Sequence, residues 1–353
     1  MKVVLATHRT NQYLGVNKYF YLLAKHLVKL GVGVHIIVDS EKGYQTIKEI
    51  CPEAAGTVLH PTANTVVSTA QYAKVLSSFL SSWGHNFDLL HCGHVLPYFY
   101  LKRERRKAVV FQPFGNELFT LSGRGMNPIY CKLAQPILRF CGNNADVLLA
   151  EGEFQVDDMR RYYPKAKRIE ILPVGVDFGS YAPKISHNSH GLFQFLAVNS
   201  LLPYEGMDEL LDAFKLLNGD CKLVIVGTGS EEERLKQKAN LSRVIFKKNI
   251  TEGELQGLYR ASDAFVSPTY ETDFQMGVLE AMATGLPVLA RDAVWLPDSV
   301  IKFTNDLDLQ MFNISHSSPS ERAERAEKGL KEVEQYDYAN IAHKALEIYQ
   351  SLI

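Results

Sequence analysis

The chain has 353 residues, of which 46% are hydrophobic and 22% charged, and its formal net charge is −1 at pH 7. This balance is that of an ordinary globular protein, and the length suits two domains with a hydrophobic core each. No window reaches the roughly 18 uninterrupted apolar residues of a membrane-spanning helix, and the N-terminus turns polar too early for a signal peptide. We therefore expect a cytoplasmic protein.

Cysteine spacing and charge distribution further limit the possible classes of protein and partner. The five cysteines form no CxxC pair, which argues against a disulfide framework or a zinc site. Residues 1–180 contain 21 Lys and Arg against 14 Asp and Glu, whereas residues 181–353 contain 17 against 25. The basic half favours contact with an anionic acceptor or an anionic membrane, although solvent-exposed faces give the same pattern. We expect no nucleic-acid partner.

The first half alternates short apolar runs with helical patterns, which is typical of a parallel sheet covered by helices. A strand at 2–7, a helix at 17–31 and a strand at 32–39 make the first unit of this kind, and Gly31 ends the helix. Further strands are predicted at Asp88–Gly93, Ala108–Phe114, Asp146–Glu151 and Arg168–Gly175. The polar, turn-rich stretch Asp177–Gly191 is the predicted linker.

The second half repeats the alternation. Strands are predicted at Leu192–Ser200, Lys222–Ser230, Arg243–Lys248, 264–269 and 286–292, and late helices at 320–335 and 340–352. Two doubly wound α/β domains in tandem are therefore predicted. In such sheets ligands bind outside the carboxyl ends of the strands, so the loops that follow these strands are the candidate sites.

Common nucleotide motifs are missing. Gly31–His35 and Gly227–Glu232 lack the third glycine of GxGxxG, and the sequence has no P-loop, HExxH or GxSxG motif. A nicotinamide dehydrogenase or an ATPase is therefore disfavoured.

Several stretches, in order from "LGVNKYFYLLAKHLVKLGVGVHIIV" through "KLVIVGTGSEEERLK" to "VLEAMATGLPVLARD", resemble the retaining glycosyltransferases of family four, which have the GT-B fold. The resemblance covers nearly the whole chain and is most specific from Leu201 to Asp292. It implies two Rossmann-like doubly wound domains facing a cleft, at 1–180 for the acceptor and 181–330 for the nucleotide sugar. It also implies that a C-terminal helix within 331–353 crosses back to the first domain.

The segment around the predicted helix after Phe274 carries the expected donor site. Free N–H groups near Phe274 and Gln275 would point at a diphosphate, because helix N-termini attract anions. Glu280 matches the second Glu of the family's paired-Glu motif, and the resemblance implies that it binds the donor ribose. An unpaired acid inside the apolar run "VLEAMA" would be costly, which favours this role over a surface position.

The first Glu of that motif is displaced. Its position falls on Thr272, with Glu271 before it and Asp273 after it. The resemblance implies a catalytic position at the donor sugar, so all three residues are candidates. Acids this close to phosphate would repel it unless they accept hydrogen bonds from sugar hydroxyls.

The Arg and Lys that neutralise the leaving diphosphate in the family are replaced by Ser200 and Glu205. Their loss would remove electrostatic stabilisation on the order of several kcal/mol. Basic residues elsewhere are candidate substitutes, although basic side chains at strand ends also simply reach solvent. The candidates are Lys18, Lys247, Lys248 and Arg291, with Lys248 and Arg291 favoured.

The first domain also departs from the family. Of an expected double glycine before the first helix only Gly15 remains, and it can let the backbone approach phosphate closely. The His expected before Gly115 is a Phe, so Gly115, Asn116 and His94 are the acceptor-side candidates. Trp295 stands where a glycine is common and either stacks on a sugar or fills the core.

The leading hypothesis is a metal-independent retaining glycosyltransferase, of the hexosyltransferase class, with no cofactor beyond its nucleotide-sugar donor. The acceptor would be a glycan, a lipid-linked molecule or a small molecule, and a peripheral contact with an anionic membrane is compatible with it. Two alternatives stay open. One is a GT-B enzyme with an unusual donor or epimerase-like chemistry, and the other is a weakly active or inactive binding protein or partner subunit.

Overall fold

The structure is a computed structural model that describes residues 1–7, 15–59, 66–83, 86–93, 97–104, 106–114, 128–181, 183, 191–217, 219–239, 242–270 and 274–353. At 66–70 and 128–131 it describes the backbone alone. Two compact α/β units form among these residues. The first comprises the described residues up to Gly175 together with Tyr338–Ile353, and the second comprises Val176–Asp337.

The first unit contains one parallel sheet. Its strands are β1 (Lys2–Ala6), β2 (Gly33–Val38), β3 (Ala55–Val58), β4 (Leu89–Gly93), β5 (Ala108–Gln112), β6 (Val147–Ala150) and β7 (Ile169–Ile171). Over the described residues their order is β3-β2-β1-β4-β5-β6-β7. The inner strands are nearly continuous apolar runs because both faces of a parallel sheet are covered.

Helices flank this sheet. They are α1 (Val16–Lys29), α2 (Glu41–Ile50), α3 (Val66–Ser82), α4 (Tyr98–Leu101), α5 (Pro128–Asn144), α6 (Glu153–Tyr162) and, at the end of the chain, α13 (Tyr338–Gln350). The last helix packs against α1 and reaches the sheet: the hydroxyl of Tyr349 lies 2.6 Å from Nδ1 of His91 in β4. Burial lowers the pKa of His91 to about 3, so the ring in this contact is neutral at pH 7.

The second unit repeats the architecture. Its strands are β8 (Phe193–Val198), β9 (Cys221–Val226), β10 (Val244–Lys247), β11 (Ala264–Ser267), β12 (Val288–Arg291) and β13 (Ile301–Phe303). In the described part of the chain they pair in parallel in the order β10-β9-β8-β11-β12-β13. Both sheets thus place their first strand in the interior, with the next two strands on one side and the later strands on the other.

The helices of the second unit have clear sequence boundaries. They are α7 (Met207–Lys215), α8 (Glu232–Ala239), α9 (Glu252–Ala261), α10 (Met276–Ala283), α11 (Leu307–His316) and α12 (Pro319–Val333). Thr251 and Ser318 are the N-cap residues of α9 and α12, and each forms a capping box. The N-cap hydroxyl accepts from the backbone N–H of a Glu three residues later, and the side chain of that Glu accepts from the backbone N–H of the N-cap residue. Pro319 follows Ser318 at the first helical position, where a missing N–H costs nothing.

The fold class predicted from the sequence is confirmed: the protein has two Rossmann-like α/β units with parallel sheets. Each predicted strand overlaps an observed one, for example 88–93 with Leu89–Gly93 and 222–230 with Cys221–Val226. The short strands β3 and β13 were not predicted. The assignment of an acceptor-side and a donor-side domain, with boundaries after residues 180 and 330, stays a prediction.

Three further observations concern the described residues of both units. No helix among the described residues is both long and apolar enough to cross a membrane. The described cysteine side chains, Cys51, Cys92, Cys141 and Cys221, are buried and free of disulfides. Within the same described residues, no cluster of three His, Cys, Asp or Glu side chains is arranged to hold a metal ion.

Candidate active site at the switch point of the second sheet

The second sheet has a topological switch point between β8 and β11. The chain continues from β8 to β9 on one side and from β11 to β12 on the other, and ligands of such sheets bind in the crevice outside the carboxyl ends at this point. The described residues that follow the two strands, at 199–206 and at 268–270 with 274–275, border the crevice. They are joined directly, since the N–H of Tyr270 donates to the carbonyl of Tyr204 at 3.1 Å.

Glycines let three backbone segments meet at this crevice. A Cβ on Gly227 would lie 1.9 Å from the carbonyl oxygen of Asn199, and one on Gly229 would lie 2.1 Å from that of Leu201. The "GTG" of residues 227–229 therefore serves close packing of the β8 loop on the β9 loop. Gly206 combines a φ of 68° with a Cβ position 2.1 Å from the carbonyl oxygen of Pro268.

Changing Gly206 to Ala is expected to lower the free energy of unfolding of the second unit by about 2–4 kcal/mol. The left-handed backbone and the clash with Pro268 both oppose a Cβ there. Urea denaturation followed by fluorescence measures the loss. The matched control is Gly257→Ala within α9, where a Cβ meets no atom within 4 Å and the helix should gain about 0.5–1 kcal/mol. Equal stability of both variants would contradict this explanation.

Helix α10 begins at the crevice. Gln275 is its N-cap residue: its carbonyl accepts from the N–H of Val278 at 3.1 Å, and the hydroxyl of Ser267 donates to its side-chain oxygen. The preceding Phe274 packs its ring on Trp295, with ring centroids 4.6 Å apart, and on Tyr336. The start of α10 is thus fixed on both sides, and the positive end of its dipole faces the switch point.

Glu280 lies in the second turn of α10 and is almost fully buried. Its Oε2 accepts a hydrogen bond of 2.9 Å from the hydroxyl of Tyr259, a fully buried residue of α9. Burial and the nearby charge of Glu280 raise the pKa of Tyr259 well above its ordinary value, so the phenol keeps its proton and acts as the donor. The carboxylate is therefore held in a fixed orientation close to the helix N-terminus.

Glu205 forms a second buried polar cluster, on the side of β8. Its Oε2 accepts from the amide of Asn199 at 3.1 Å, and the hydroxyl of Ser200 donates to its Oε1. Burial raises the pKa of Glu205, while hydrogen bonds from Ser200, Thr269 and Asn199 oppose that rise. The two residues that replace the family's Arg and Lys thus bind each other and join the β8 loop to the β11 loop.

Arg291 ends β12 and is surrounded by protein acceptors. Its Nε donates to the carbonyl of Pro268 at 3.1 Å, one terminal nitrogen donates to that of Thr304 at 2.9 Å, and the other forms an ion pair with Glu209. The guanidinium also stacks 4.1 Å from the ring centroid of Tyr270. All three of its nitrogens are bound by protein acceptors, and Nε and the stacked ring hold the β11 loop, so the predicted phosphate contact requires Arg291 to exchange partners.

The other favoured substitute, Lys248, follows β10 at the outer edge of the sheet. Two strands separate it from β11, which corresponds to about 14 Å at ordinary strand spacing. Its Nζ contacts Glu232 at 2.8 Å, and the neighbouring Lys247 is exposed. The structure therefore does not bring either lysine to the switch point.

Trp295 packs in the core beside the start of α10. It is buried, and its ring covers that of Phe274. Of the two alternatives left open by the sequence, core filling describes its position. Its Nε1 is buried without a hydrogen-bond partner among the described residues.

The remaining predicted site residues lie elsewhere. In the first unit, Gly15 precedes α1 with a φ of 56°, and Lys18 is a buried residue of that helix. Their predicted phosphate contacts stay predictions. The other predicted site residues lie outside the described residues, and they are Glu271, Thr272, Asp273, His94, Gly115 and Asn116.

Three side chains of the site were not predicted: Asn199, Tyr259 and Thr269. Asn199 directly follows β8 and Thr269 lies two residues after the end of β11, so a search for polar residues near the carboxyl ends of strands would have found them. No sequence signal pointed to Tyr259, because its partner Glu280 is 21 residues away and both lie within apolar helix faces.

Comparison with protein-family models gives two matches. Residues 13–179 match the model described as Glycosyltransferase Family 4, and residues 193–328 match the model described as Glycosyl transferases group 1. Both halves of the chain therefore match models of glycosyltransferases. The resemblance found in the sequence is confirmed at that level, and membership of the retaining family four stays a prediction.

Curated relatives of this glycosyltransferase-like chain match over parts of their length. One relative is a GDP-mannose-dependent alpha-(1-6)-phosphatidylinositol monomannoside mannosyltransferase of Mycolicibacterium smegmatis, to which the chain is 27% identical over 222 residues. This match covers 57% of the chain and 56% of the relative. A second relative is a D-inositol 3-phosphate glycosyltransferase of Streptomyces bingchenggensis, to which the chain is 26% identical over 339 residues. This match covers 81% of the chain and 71% of the relative. The first match thus spans little more than half of the relative.

Solved structures share the fold over the full length. The Anabaena protein HepE, in complex with UDP and glucose, superposes with a TM-score of 0.78 at 17% identity and covers 100% of both chains. At this identity the match speaks for the fold alone, and that fold is GT-B.

Proposed function

We propose that the protein is a retaining, metal-independent glycosyltransferase that moves a sugar, such as a hexosyl group, from a nucleotide-sugar donor to an acceptor hydroxyl. The observation that carries this proposal is the buried carboxylate of Glu280, which Tyr259 orients beside the N-terminus of α10. A carboxylate accepts hydrogen bonds only, which suits the two hydroxyls of a ribose. The matched family models and the GDP-mannose dependence of one relative support a nucleotide-sugar donor.

The donor would lie across the start of α10. The free N–H groups of its first turn, next to Phe274 and Gln275, would bind the diphosphate, because they carry the positive end of the helix dipole. The ribose would then lie over Glu280, about 6 Å further along the helix axis. The segment Glu271–Asp273 would contact the sugar at the position of the family's first Glu.

Most of the rate enhancement would come from the positioning of donor and acceptor. The bond from the sugar C1 to the leaving phosphate breaks while a bond to the acceptor oxygen forms on the same face, and the leaving phosphate takes the acceptor's proton. The chain's contribution is to hold donor and acceptor in reacting distance and to stabilise the departing charge. With Glu205 and Ser200 in place of two cations, the helix N-terminus supplies a larger share of that stabilisation.

The Glu205 cluster also favours a second candidate, a GT-B enzyme with an unusual donor or epimerase-like chemistry. A buried carboxyl that is hydrogen-bonded to Asn199 and Ser200 offers a donor's leaving group no positive charge. An inactive partner subunit is the third candidate. Cytoplasmic location and contact with an anionic membrane stay predictions.

The test is a transfer and hydrolysis assay of the purified protein with UDP-, GDP- and ADP-sugars, in the presence and absence of a chelator. We expect one donor to release its nucleoside diphosphate at equal rates with and without the chelator, and NMR to show that the anomeric configuration is retained. Release that requires a divalent ion, or an inverted product, would contradict the proposed mechanism. Nucleotide binding without release from any donor would favour the partner-subunit candidate.

A further inference from the structure

Helices α4 and α5 of the first unit leave three large apolar side chains exposed. The exposed fractions are 40% for Phe99, 68% for Leu133 and 38% for Ile137. The two helices pack on each other through the rings of Tyr98 and Phe140, with centroids 4.8 Å apart. Leu133 and Ile137 are four residues apart and therefore share one face of α5. We call these exposed side chains and their cationic neighbours the α4–α5 surface.

Cations lie among these apolar side chains. The Nζ of Lys102 lies 4.3 Å from the ring centroid of Tyr98 and 5.7 Å from that of Phe140, and exposed Lys132 adjoins Leu133. Neither Lys102 nor Lys132 forms an ion pair with an acid of the described chain. Arg103 in the same region donates to the hydroxyl of Ser77, again not to an acid. These three cations therefore form no ion pair within the part of the chain that the structure describes.

The other basic stretch of the first unit differs. Arg160 and Arg161 contact Asp157 and Asp158 on their own helix, and Lys167 contacts Asp146. Its charge is largely balanced within the fold. On the α4–α5 surface, by contrast, exposed lysines without an ion pair lie beside exposed apolar side chains.

We propose that the α4–α5 surface docks on an anionic lipid bilayer. Apolar side chains flanked by lysines suit a membrane interface, where the side chains enter the headgroup region while the ammonium groups stay at the phosphates. Three apolar side chains are few for a stable protein interface, which buries about 800 Å² on each partner. Anionic lipid supplies the missing attraction, at roughly a fivefold gain in partitioning for each lysine near the surface.

Docking of this kind would bring the first unit to acceptors that are embedded in a bilayer, an extension that rests on the proposed transferase function. The docking itself requires no turnover. If only the docking proposal holds, the protein binds vesicles and transfers no sugar. If only the transferase proposal holds, the protein transfers sugar and does not bind vesicles, so the two proposals fail independently.

The test is flotation of the full chain with vesicles of phosphatidylcholine and with vesicles of phosphatidylcholine and phosphatidylglycerol in equal parts. We expect the protein to float with the anionic vesicles only and to be released by high salt, because salt screens surface charges. Leu133→Asp should reduce bound protein at least tenfold, and Lys132→Glu should reduce it several-fold. Both sites are exposed, so both variants should fold, which circular dichroism checks.

The matched control is Leu216→Asp, since Leu216 is 72% exposed on the second unit. It should float like the unmodified protein. Absence of flotation with anionic vesicles, or equal flotation of Leu133→Asp, would overturn the proposal. Sedimentation velocity distinguishes membrane docking from self-association. A concentration-dependent dimer that Leu133→Asp dissociates would make this surface an interface between two copies of the chain and would also overturn the proposal.

Discussion

Replacing Glu280 with Gln is expected to weaken nucleotide binding by about tenfold to a hundredfold while leaving the fold intact. A hydrogen bond to a charged group contributes about 1.5–3 kcal/mol, and the amide that replaces the carboxylate accepts through one oxygen only. The side chains have nearly the same size, so α10 should keep its packing. Calorimetric titration with UDP, GDP and ADP measures the change, and thermal denaturation without ligand verifies the fold.

Two further variants separate the carboxylate from its support. Tyr259→Phe removes the hydroxyl that orients Glu280 but keeps the charge, so its affinity should fall by less than that of Glu280→Gln. Glu233→Gln changes an exposed carboxylate of α8 and should bind like the unmodified protein. Unchanged affinity of Glu280→Gln, for a nucleotide that the unmodified protein binds, would remove Glu280 from the donor site.

Replacing Arg291 with Ala is expected to destabilise the second unit by about 2–4 kcal/mol. The change leaves Glu209 without its cation, removes donors from two backbone carbonyls and uncovers the ring of Tyr270. Breaking a largely buried ion pair by removing one partner costs more than the pair itself contributes, because the remaining charge is left uncompensated. Urea denaturation measures the loss, and nucleotide titration well below the unfolding transition accompanies it.

The phosphate-binding role predicted from the sequence and the anchoring role indicated by the contacts of Arg291 give opposite patterns. If it anchors the β11 loop, Glu209→Gln should share part of the stability loss, and nucleotide affinity should fall with Arg291→Ala only as the loop loosens. If it binds phosphate, as the sequence predicted, Arg291→Ala should abolish nucleotide binding at nearly unchanged stability. In that case Glu209→Gln should bind nucleotide as tightly as the unmodified protein or more tightly, since the guanidinium loses a competing partner.

The sequence predicted the second sheet well because its signals are local. A continuous apolar run such as Phe193–Val198 reports a strand covered on both faces. The helix α10 was expected to begin just after Phe274, and it begins at Met276. The edge strands β3 and β13 were missed because they are three or four residues long and partly exposed, so neither an apolar run nor an alternation marks them.

The candidate site was predictable only where position along a strand or helix fixes it. Glu280 was expected near the start of a helix and lies there. The partners of Arg291 were not predictable, because Glu209 lies 82 residues earlier, on the helix after β8, and contacts it only once β8, β11 and β12 are assembled. The contact between Glu205 and Thr269 likewise joins loops after two strands that are neighbours in the sheet but distant in sequence.

The discontinuous first unit has a consequence for synthesis on the ribosome. Tyr338–Ile353 belong to that unit, and Tyr349 fills its core against His91, yet the whole of Val176–Asp337 must be translated before those residues exist. The second unit can therefore close first, while the larger, earlier segment waits with one face of its sheet unfinished. Nascent chains that pause in this interval expose that face, which makes them the natural clients of chaperones that bind apolar surface.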